Sequence, residues 1–433
     1  MITPEATTPF IQMGWFPMLL HYLPVLCVSF FVAVISTPIV KVIARKYGIV
    51  DHPDEARKMH KKPVAYLGGV AIFVAVVSGI IVSYIFVKSP PIFQPFPIVI
   101  LIGMVAIALT GLADDVFEYW DPWWKVAGQL VAAAAMAQQG VGTRVAEGVI
   151  RGIGIPEDIC NYPIVEAGMF LPDPITLTYI SGVIIIVIFV LGACNAANLL
   201  DGLDGLLSGT VAITCIGLIA ISIMIALSMT QQNLASIAEH LSQNMFLNNR
   251  GNGITLIGAN IVLGLSVLGA VLGFLIYNFN PASIFLGDAG SLLLGYLCIV
   301  MVLMLGEQGQ TFIVVAGTIV FALPILDTLL AIIRRKLAGK AMSDADSNHI
   351  HHIIKRKLIS VKKTVLSLYG ISSIFCFLGV ALAWAHITGA IRAWVIYLVA
   401  IIIFGGISLL FLQAARRHDT RKRVRRENQS PVG

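Results

Sequence analysis

Charge is what this 433-residue chain has least of. Lys, Arg, Asp and Glu make up 12% of it, against 58% hydrophobic residues and a mean hydropathy of +0.88. That balance excludes a solvated globular surface and reads as a polytopic membrane protein. Cysteine is scarce as well, six in all with no C-x-x-C pair, which excludes a disulfide framework and a structural zinc site. No basic residue precedes Lys41, so the basic n-region of a cleavable signal peptide is missing. The pI near 9.0 calls for no nucleic acid, because basic loops facing anionic lipid account for it.

What is abundant is long apolar sequence. Stretches near the ~20 residues that cross a bilayer predict about eleven helices, centred near residues 32, 77, 105, 133, 184, 217, 264, 298, 320, 375 and 402. The span near 133 is Ala-rich and carries Gln129, Gln138 and Gln139, so it reads as a short helix packed inside the bundle. Loops kept in the cytoplasm carry the Lys/Arg excess. Of the 29 basic residues, 24 fall at Lys41, Lys125, residues 45–62, 334–363 and 416–426. The alternation this fixes places the N-terminus outside and the C-terminus in the cytoplasm, as an odd number of spans requires. The chain divides into a multi-pass catalytic domain, residues 1–415, and a basic cytoplasmic tail, residues 416–433. Active-site loops are expected at residues 45–66, 114–125, 193–206, 278–291 and 335–363.

The densest polar words fall on that same inner side: GLADD at 111–115, NAANLLDGLDGL at 195–206, NPASIFLGDAGS at 280–291 and HIHH at 349–352. An Asp at the centre of a spanning helix costs about 2.5 to 3.5 kcal/mol. Asp114, Asp115, Asp201, Asp204 and Asp288 must therefore sit at helix ends or line a wet cleft. Adjacent carboxylates such as Asp114 and Asp115 repel unless a cation, a Lys or a shared proton offsets them. Mg²⁺ uses a few carboxylates together with water and phosphate oxygens.

On a helical turn Asp201 and Asp204 would share a face, and Asn195 and Asn198 would repeat the spacing one turn earlier. DGLDG lacks the ligand series of a calcium loop. The imidazoles of His349, His351 and His352 stand among Arg334, Arg335, Lys336, Lys355, Arg356 and Lys357, whose charge favours a polyanion such as a diphosphate over a transition metal. Asp327, an ionisable group inside the ninth span, should face the interior as the partner of an Arg or a helix amide.

The ordered set HKKPVAYLGG, GLADD, NAANLLDGLDGL, FLGDAGS, PILDTLLAIIRR and HIHH, spread over residues 41–357, resembles the polyprenyl-phosphate N-acetylhexosamine-1-phosphate transferases. That superfamily includes the MraY translocases of peptidoglycan synthesis and the WecA/TagO branch, which starts enterobacterial common antigen, O-antigen or teichoic acid linkage units. HIHH, in place of a run like HHHFE, and eleven spans with an inner C-terminus resemble the WecA/TagO branch. The resemblance implies transfer of N-acetylglucosamine 1-phosphate from UDP-GlcNAc to undecaprenyl phosphate, with release of UMP, at the bacterial inner (cytoplasmic) membrane. It implies Mg²⁺, with Mn²⁺ as a substitute, held by Asp288, Asn195 and Asp115, while Asp201 and Asp204 line the nucleotide and metal cleft.

By the same resemblance Asp114 and Asp115 contact the prenyl phosphate or remove its proton, and Lys61 and Lys62 screen phosphate charge. Asn198 binds substrate, and His349, His351 and His352 with Arg334 or Arg335 hold the diphosphate or sugar. The partners implied are the UDP-sugar, the polyprenyl phosphate, the membrane and a second copy of the chain as a homodimer. Ser283 and Ser347 stand where relatives commonly carry a basic residue. The alternatives are an MraY-type donor, another UDP-N-acetylhexosamine, or a route through a phospho-aspartyl enzyme. A secondary transporter would instead show internal repeats and midplane acids, and neither is apparent.

Overall fold

The computed structural model describes residues 15–51, 63–87, 95–117, 121–152, 154–156, 159, 162–165, 175–229, 255–307, 309–337, 339 and 349–409. Lipid offers the backbone no hydrogen bonds, so apolar sequence of this length is confined to helices. The protein is an all-α polytopic membrane protein with one small hairpin.

The helices are α1 (Trp15–Lys46), α2 (Gly68–Phe86), α3 (Ile98–Val116), α4 (Pro122–Gln138), α5 (Val145–Gly152), α6 (Leu177–Leu200) and α7 (Leu206–Ser228). After them come α8 (Ile257–Asn278), α9 (Gly287–Met304), α10 (Thr311–Val320), α11 (Ala322–Leu337), α12 (Ile350–Leu358), α13 (Val361–Ile387) and α14 (Ala393–Ala400). A π-helical turn, Ile401–Gly406, continues α14. Each of the eleven predicted centres falls inside one of these elements. Eight of the described helices are long and apolar enough to cross a bilayer: α1, α2, α3, α6, α7, α8, α9 and α13.

The span expected near residue 320 is not one straight helix, since α10 and α11 meet at 81°. Pro324 explains the break. It has no N–H to give the carbonyl of Val320, and its ring would collide with that carbonyl in a continuous helix. As a result α11 leaves the direction of α10 and carries Asp327, Arg334 and Arg335 with it.

α9 lies at the centre of the bundle, almost wholly buried, whereas α1 and α13 expose most of their length. The start of α9 is fixed by main chain. Strands β1 (Val50–Asp51) and β2 (Val64–Ala65) pair antiparallel, Val50 opposite Ala65. Ala65 bridges on to Ile284, and the N–H groups of Gly68 and Gly69 donate to the carbonyls of Phe285 and Leu286 at 3.0 and 2.8 Å. The first turns of α2 and α9 consequently lie in backbone contact, and a Cβ on Gly69 would collide with the nitrogen of Gly290.

Helix starts show a recurrent device. Asp121 caps α4, Thr176 caps α6 and Ser360 caps α13, each with its own side chain. By contrast α8, α9 and α12 have no side-chain cap of their own. Each instead receives a carboxylate from another element: Glu307 at α8, Asp115 at α9 and Asp327 at α12.

Candidate active site

The site forms where the end of α3, the start of α4, the end of α6 and the start of α9 meet. Asp114 and Asp115 occupy the last turn of α3. The Asp115 carboxylate accepts the N–H of Asp288 at 2.7 Å and of Ala289 at 3.0 Å. It thus satisfies the otherwise orphaned amides at the start of α9 and places negative charge at the positive end of that helix. Gly287, with φ +73°, supplies the left-handed turn that aims those amides at it.

Asp288 is held between two donors. Asn198 Nδ2 donates to its Oδ1 at 2.8 Å and to Ser291 Oγ at 2.9 Å. Lys125 Nζ, from the first turn of α4, pairs with its Oδ2 and with Asp114 Oδ2 at 2.7 Å. Lys125 is thus the cation that lets Asp114 and Asp288 lie side by side; the offset expected within the adjacent pair Asp114 and Asp115 falls instead between Asp114 and an acid of another helix. Sequence reasoning did not assign it, because 163 residues separate Lys125 from Asp288.

The strip of Asn195, Asn198, Asp201 and Asp204 expected on one helical face is not what forms. α6 ends at Leu200, and Asp201 already has ψ +50°. Asn195 and Asn198 remain on the helix, while residues 201–205 make a turn whose two carboxylates diverge. Asp204 accepts the amide of Asn280 at 2.8 Å and the N–H of Ala282 at 3.0 Å, tying the turn to the segment before α9. The Asp201 carboxyl has no hydrogen-bond or ion-pair partner among the described residues. Desolvation, reinforced by the charges of Asp288, Asp115 and Asp204, pushes its carboxyl up to about 8. The Tyr66 hydroxyl, hydrogen-bonded to Asp51, faces the same acids and is raised by burial and by their charge.

The histidine segment docks on this turn from the other side. The Asp327 carboxylate, wholly buried, accepts His349 Nδ1 at 3.0 Å and the N–H of Ile350 at 2.7 Å, so it serves a helix amide and an imidazole. The rings of His349 and His351 stack nearly parallel, 5.5 Å apart, and His352 lies beside His351 at 4.3 Å. His351 is buried and presses its Nε2 against Gly202, where a Cβ would collide with it. Burial pushes the His351 imidazole down to about 3 and also lowers His352, so both favour the neutral form. From α13 the Tyr369 hydroxyl donates to the carbonyl of Gly205 and holds the far end of the turn. Arg334 and Arg335 lie in the last turn of α11, Arg334 two turns along from Asp327.

The structure therefore brings together Asp114, Asp115, Asn198, Asp201 and Asp288, with Asn195 one turn away and the histidines behind Gly202. Asp204 is turned to a structural partner. Lys61, Lys62 and Ser347 lie outside the described residues. Ser283 donates through its N–H and its hydroxyl to the carbonyl of Tyr277, closing the turn before α9.

A hard cation fits this donor set. Asp201 holds its proton because no counter-charge stands beside it and three other acids do, and a divalent ion would relieve that imbalance by taking the proton's place. Among the described residues no trio of Asp, Glu, His or Cys side chains encloses a metal by itself. Water and phosphate oxygens would have to complete the sphere, as is usual for Mg²⁺.

The chain is similar to known proteins. Residues 97–306, from the start of α3 to just beyond α9, match glycosyl transferase family 4. A probable undecaprenyl-phosphate N-acetylglucosaminyl 1-phosphate transferase of Bacillus subtilis is 34% identical over 361 residues, covering 83% of this chain and 84% of the relative. A decaprenyl-phosphate N-acetylglucosaminephosphotransferase of Mycolicibacterium smegmatis is 30% identical, covering 77% and 75%. A phospho-N-acetylmuramoyl-pentapeptide-transferase of Shouchella clausii is 28% identical, covering 82% and 95%. With the matched segment spanning the acids of α3, α6 and α9, and with likeness to the Bacillus relative running through most of both chains, this protein belongs to glycosyl transferase family 4.

Proposed function

We propose that the protein transfers N-acetylglucosamine 1-phosphate from UDP-GlcNAc to a polyprenyl phosphate, releasing UMP, on the cytoplasmic face of a bacterial inner membrane. The observation that carries this reading is the carboxylate cluster at one end of the bundle, in which Lys125 offsets Asp114 and Asp288 while Asp201 is left without a counter-charge. The Bacillus and Mycolicibacterium relatives, both named as N-acetylglucosamine phosphotransferases on a polyprenyl phosphate, support the donor and acceptor. The more distant pentapeptide transferase and the HIHH segment support that donor over a muramoyl pentapeptide.

An oxygen of the lipid phosphate attacks the β-phosphorus of the UDP-sugar. A new P–O bond forms, the bond from the β-phosphorus to the UMP oxygen breaks, and UMP leaves with that electron pair. Two anions must approach each other, so the protein's contribution is positioning and charge neutralisation. Mg²⁺, held by Asp288 with Asn195 and Asp201 nearby, would neutralise diphosphate charge when bound. Lys125 adds a fixed positive charge beside Asp114 and Asp288. Asp114, the less occupied member of its pair, is placed to receive the acceptor's proton. Asp115 holds the start of α9 so that Asp288 cannot turn away. The buried neutral imidazole of His351 shapes the Asp201 turn and His349 is spent on Asp327, which leaves the half-buried His352 as the imidazole available to the diphosphate or sugar.

The test is UMP release from purified protein in detergent with undecaprenyl phosphate, given UDP-GlcNAc, UDP-GalNAc or UDP-MurNAc-pentapeptide, with and without Mg²⁺. Release with UDP-GlcNAc that needs Mg²⁺ and vanishes in Asp288→Asn is the expected result. Release only with the pentapeptide would move the protein to the other donor, and no release with any donor would overturn the assignment.

A further inference from the structure

α4 presents two polar residues one turn apart to the site. Lys125 meets Asp114 and Asp288, and Gln129, four residues on and only 1% exposed, meets Asn195. The bonds of Asn195 fix which way its amide points. Its nitrogen lies 2.8 Å from the carbonyl of Leu191, which can only accept, so that atom must be the N–H₂ group. The second N–H then points at Gln129, 3.2 Å away, and can be met only by the Gln129 oxygen. Both amide protons of Asn195 are thereby engaged, and its Oδ1 has no partner among the described residues. The residue is exposed, one turn from Asn198 and its bond to Asp288.

The other half of Gln129 makes the role specific. Its Nε2 is buried and has no hydrogen-bond partner among the described residues. A buried amide donor left unmet is destabilising, and an apolar residue of the same shape would avoid that cost. The oxygen is the part of the side chain that is used, and what it does is hold the Asn195 amide with its oxygen outward.

We propose that Gln129 is a positioning residue that locks Asn195 with its side-chain oxygen toward the cleft, as a neutral ligand for the divalent cation. Resting on the metal reading above, this adds a residue that touches neither metal nor substrate. Without Gln129 the Leu191 carbonyl alone holds the amide, and its N–H₂ group can turn toward the cleft more readily, where it would oppose a cation. Partners of this kind, one bond removed from a metal, typically contribute a factor of about 10 to 100 in affinity.

The experiment titrates Mn²⁺ into the full-length protein in detergent, without substrates, and follows free Mn²⁺ by electron paramagnetic resonance. Gln129→Met removes the acceptor while keeping the shape and should weaken Mn²⁺ binding about tenfold. Gln129→Glu keeps an oxygen toward Asn195, and the negative charge it adds when ionised favours a cation, so binding should be at or above the wild-type level. In an Asn195→Ala background, Gln129→Met should have no further effect. Mn²⁺ affinity unchanged in Gln129→Met, or lowered equally in Gln129→Glu, would overturn the role, as would a further loss in the Asn195→Ala background. A wild-type protein that binds no Mn²⁺ would instead overturn the metal reading on which the role rests.

Discussion

Beyond the two ends of α9 stand two carboxylates with the same structural task. Asp115 accepts the N–H groups of Asp288 and Ala289 at its start, and Glu307, just past its far end, accepts the N–H of Leu256 and the hydroxyl of Thr255 at the start of α8. Around Glu307 the capping bonds account for the acid, and Arg144 adds a favourable charge. Around Asp115 they do not account for its neighbours. Asp114, Asp201 and Asp288 are not needed to close a helix; Asp114 and Asp288 require Lys125 merely to coexist, and Asp201 has no cation beside it among the described residues. An acid that caps a helix is explained by folding, and acids in excess of the caps mark the place where charge is kept for a ligand.

The comparison is broken most severely by removing the cation. Lys125→Met leaves Asp114 and Asp288 facing each other and should lower turnover by about 10² to 10³, the scale of losing one electrostatic contact in a catalytic site. Arg144→Met at the other end should leave turnover unchanged. Equal losses in steady-state UMP release would erase the distinction between the ends.

The caps themselves come next. Asp115→Ala and Glu307→Ala should each destabilise the protein by about 1 to 3 kcal/mol, the cost of unmet buried amides, read as a lower thermal transition in detergent. Only Asp115→Ala should also reduce UMP release per folded molecule, by about tenfold or more, because Asp288 moves with the start of α9. A variant with normal turnover would make Asp115 a cap alone.

The smallest effects concern pH, and the signs differ. Burial pushes Glu307 up to about 7 against the opposing hydrogen bonds of Leu256 and Thr255. Its contribution to stability is full below the unfolded value near 4.5 and is lost as pH rises through 7. His351, lowered to about 3 by burial, contributes fully above its unfolded value near 6.5 and loses that contribution as pH falls toward 3. Thermal transitions measured from pH 4 to 8 should lose part of their alkaline decline in Glu307→Gln and part of their acid decline in His351→Asn. Unaltered profiles would show that neither group titrates with unfolding.

Much of the helical frame was readable in the sequence, because lipid forces apolar runs into helices and each expected centre lies within one. The break at Phe321 was not, although Pro324 carries its cause, since a hydrophobic run masks a change of direction inside it. Within the site, the gathering of acids at one end followed from the cost of placing them deeper. Which acid does what did not follow. Asp115 and Asp204 are committed to backbone amides and Asp201 is not, a division set by contacts across about 80 to 170 residues. Lys125 and Gln129 were hidden for the same reason: helical spacing relates them to each other but not to α6 or α9.

The contact between Gly69 and Gly290 has a consequence for descent. Neither position can acquire a side chain unless the helix opposite retreats, and that retreat would carry Gly287 and Asp288 away from Asp115. Drift at either glycine is therefore penalised twice, once by collision and once by loss of the cap, and a compensating change would have to arise in both segments together. Lineages derived from this protein should vary freely along the exposed faces of α1 and α13 while this one crossing stays bare.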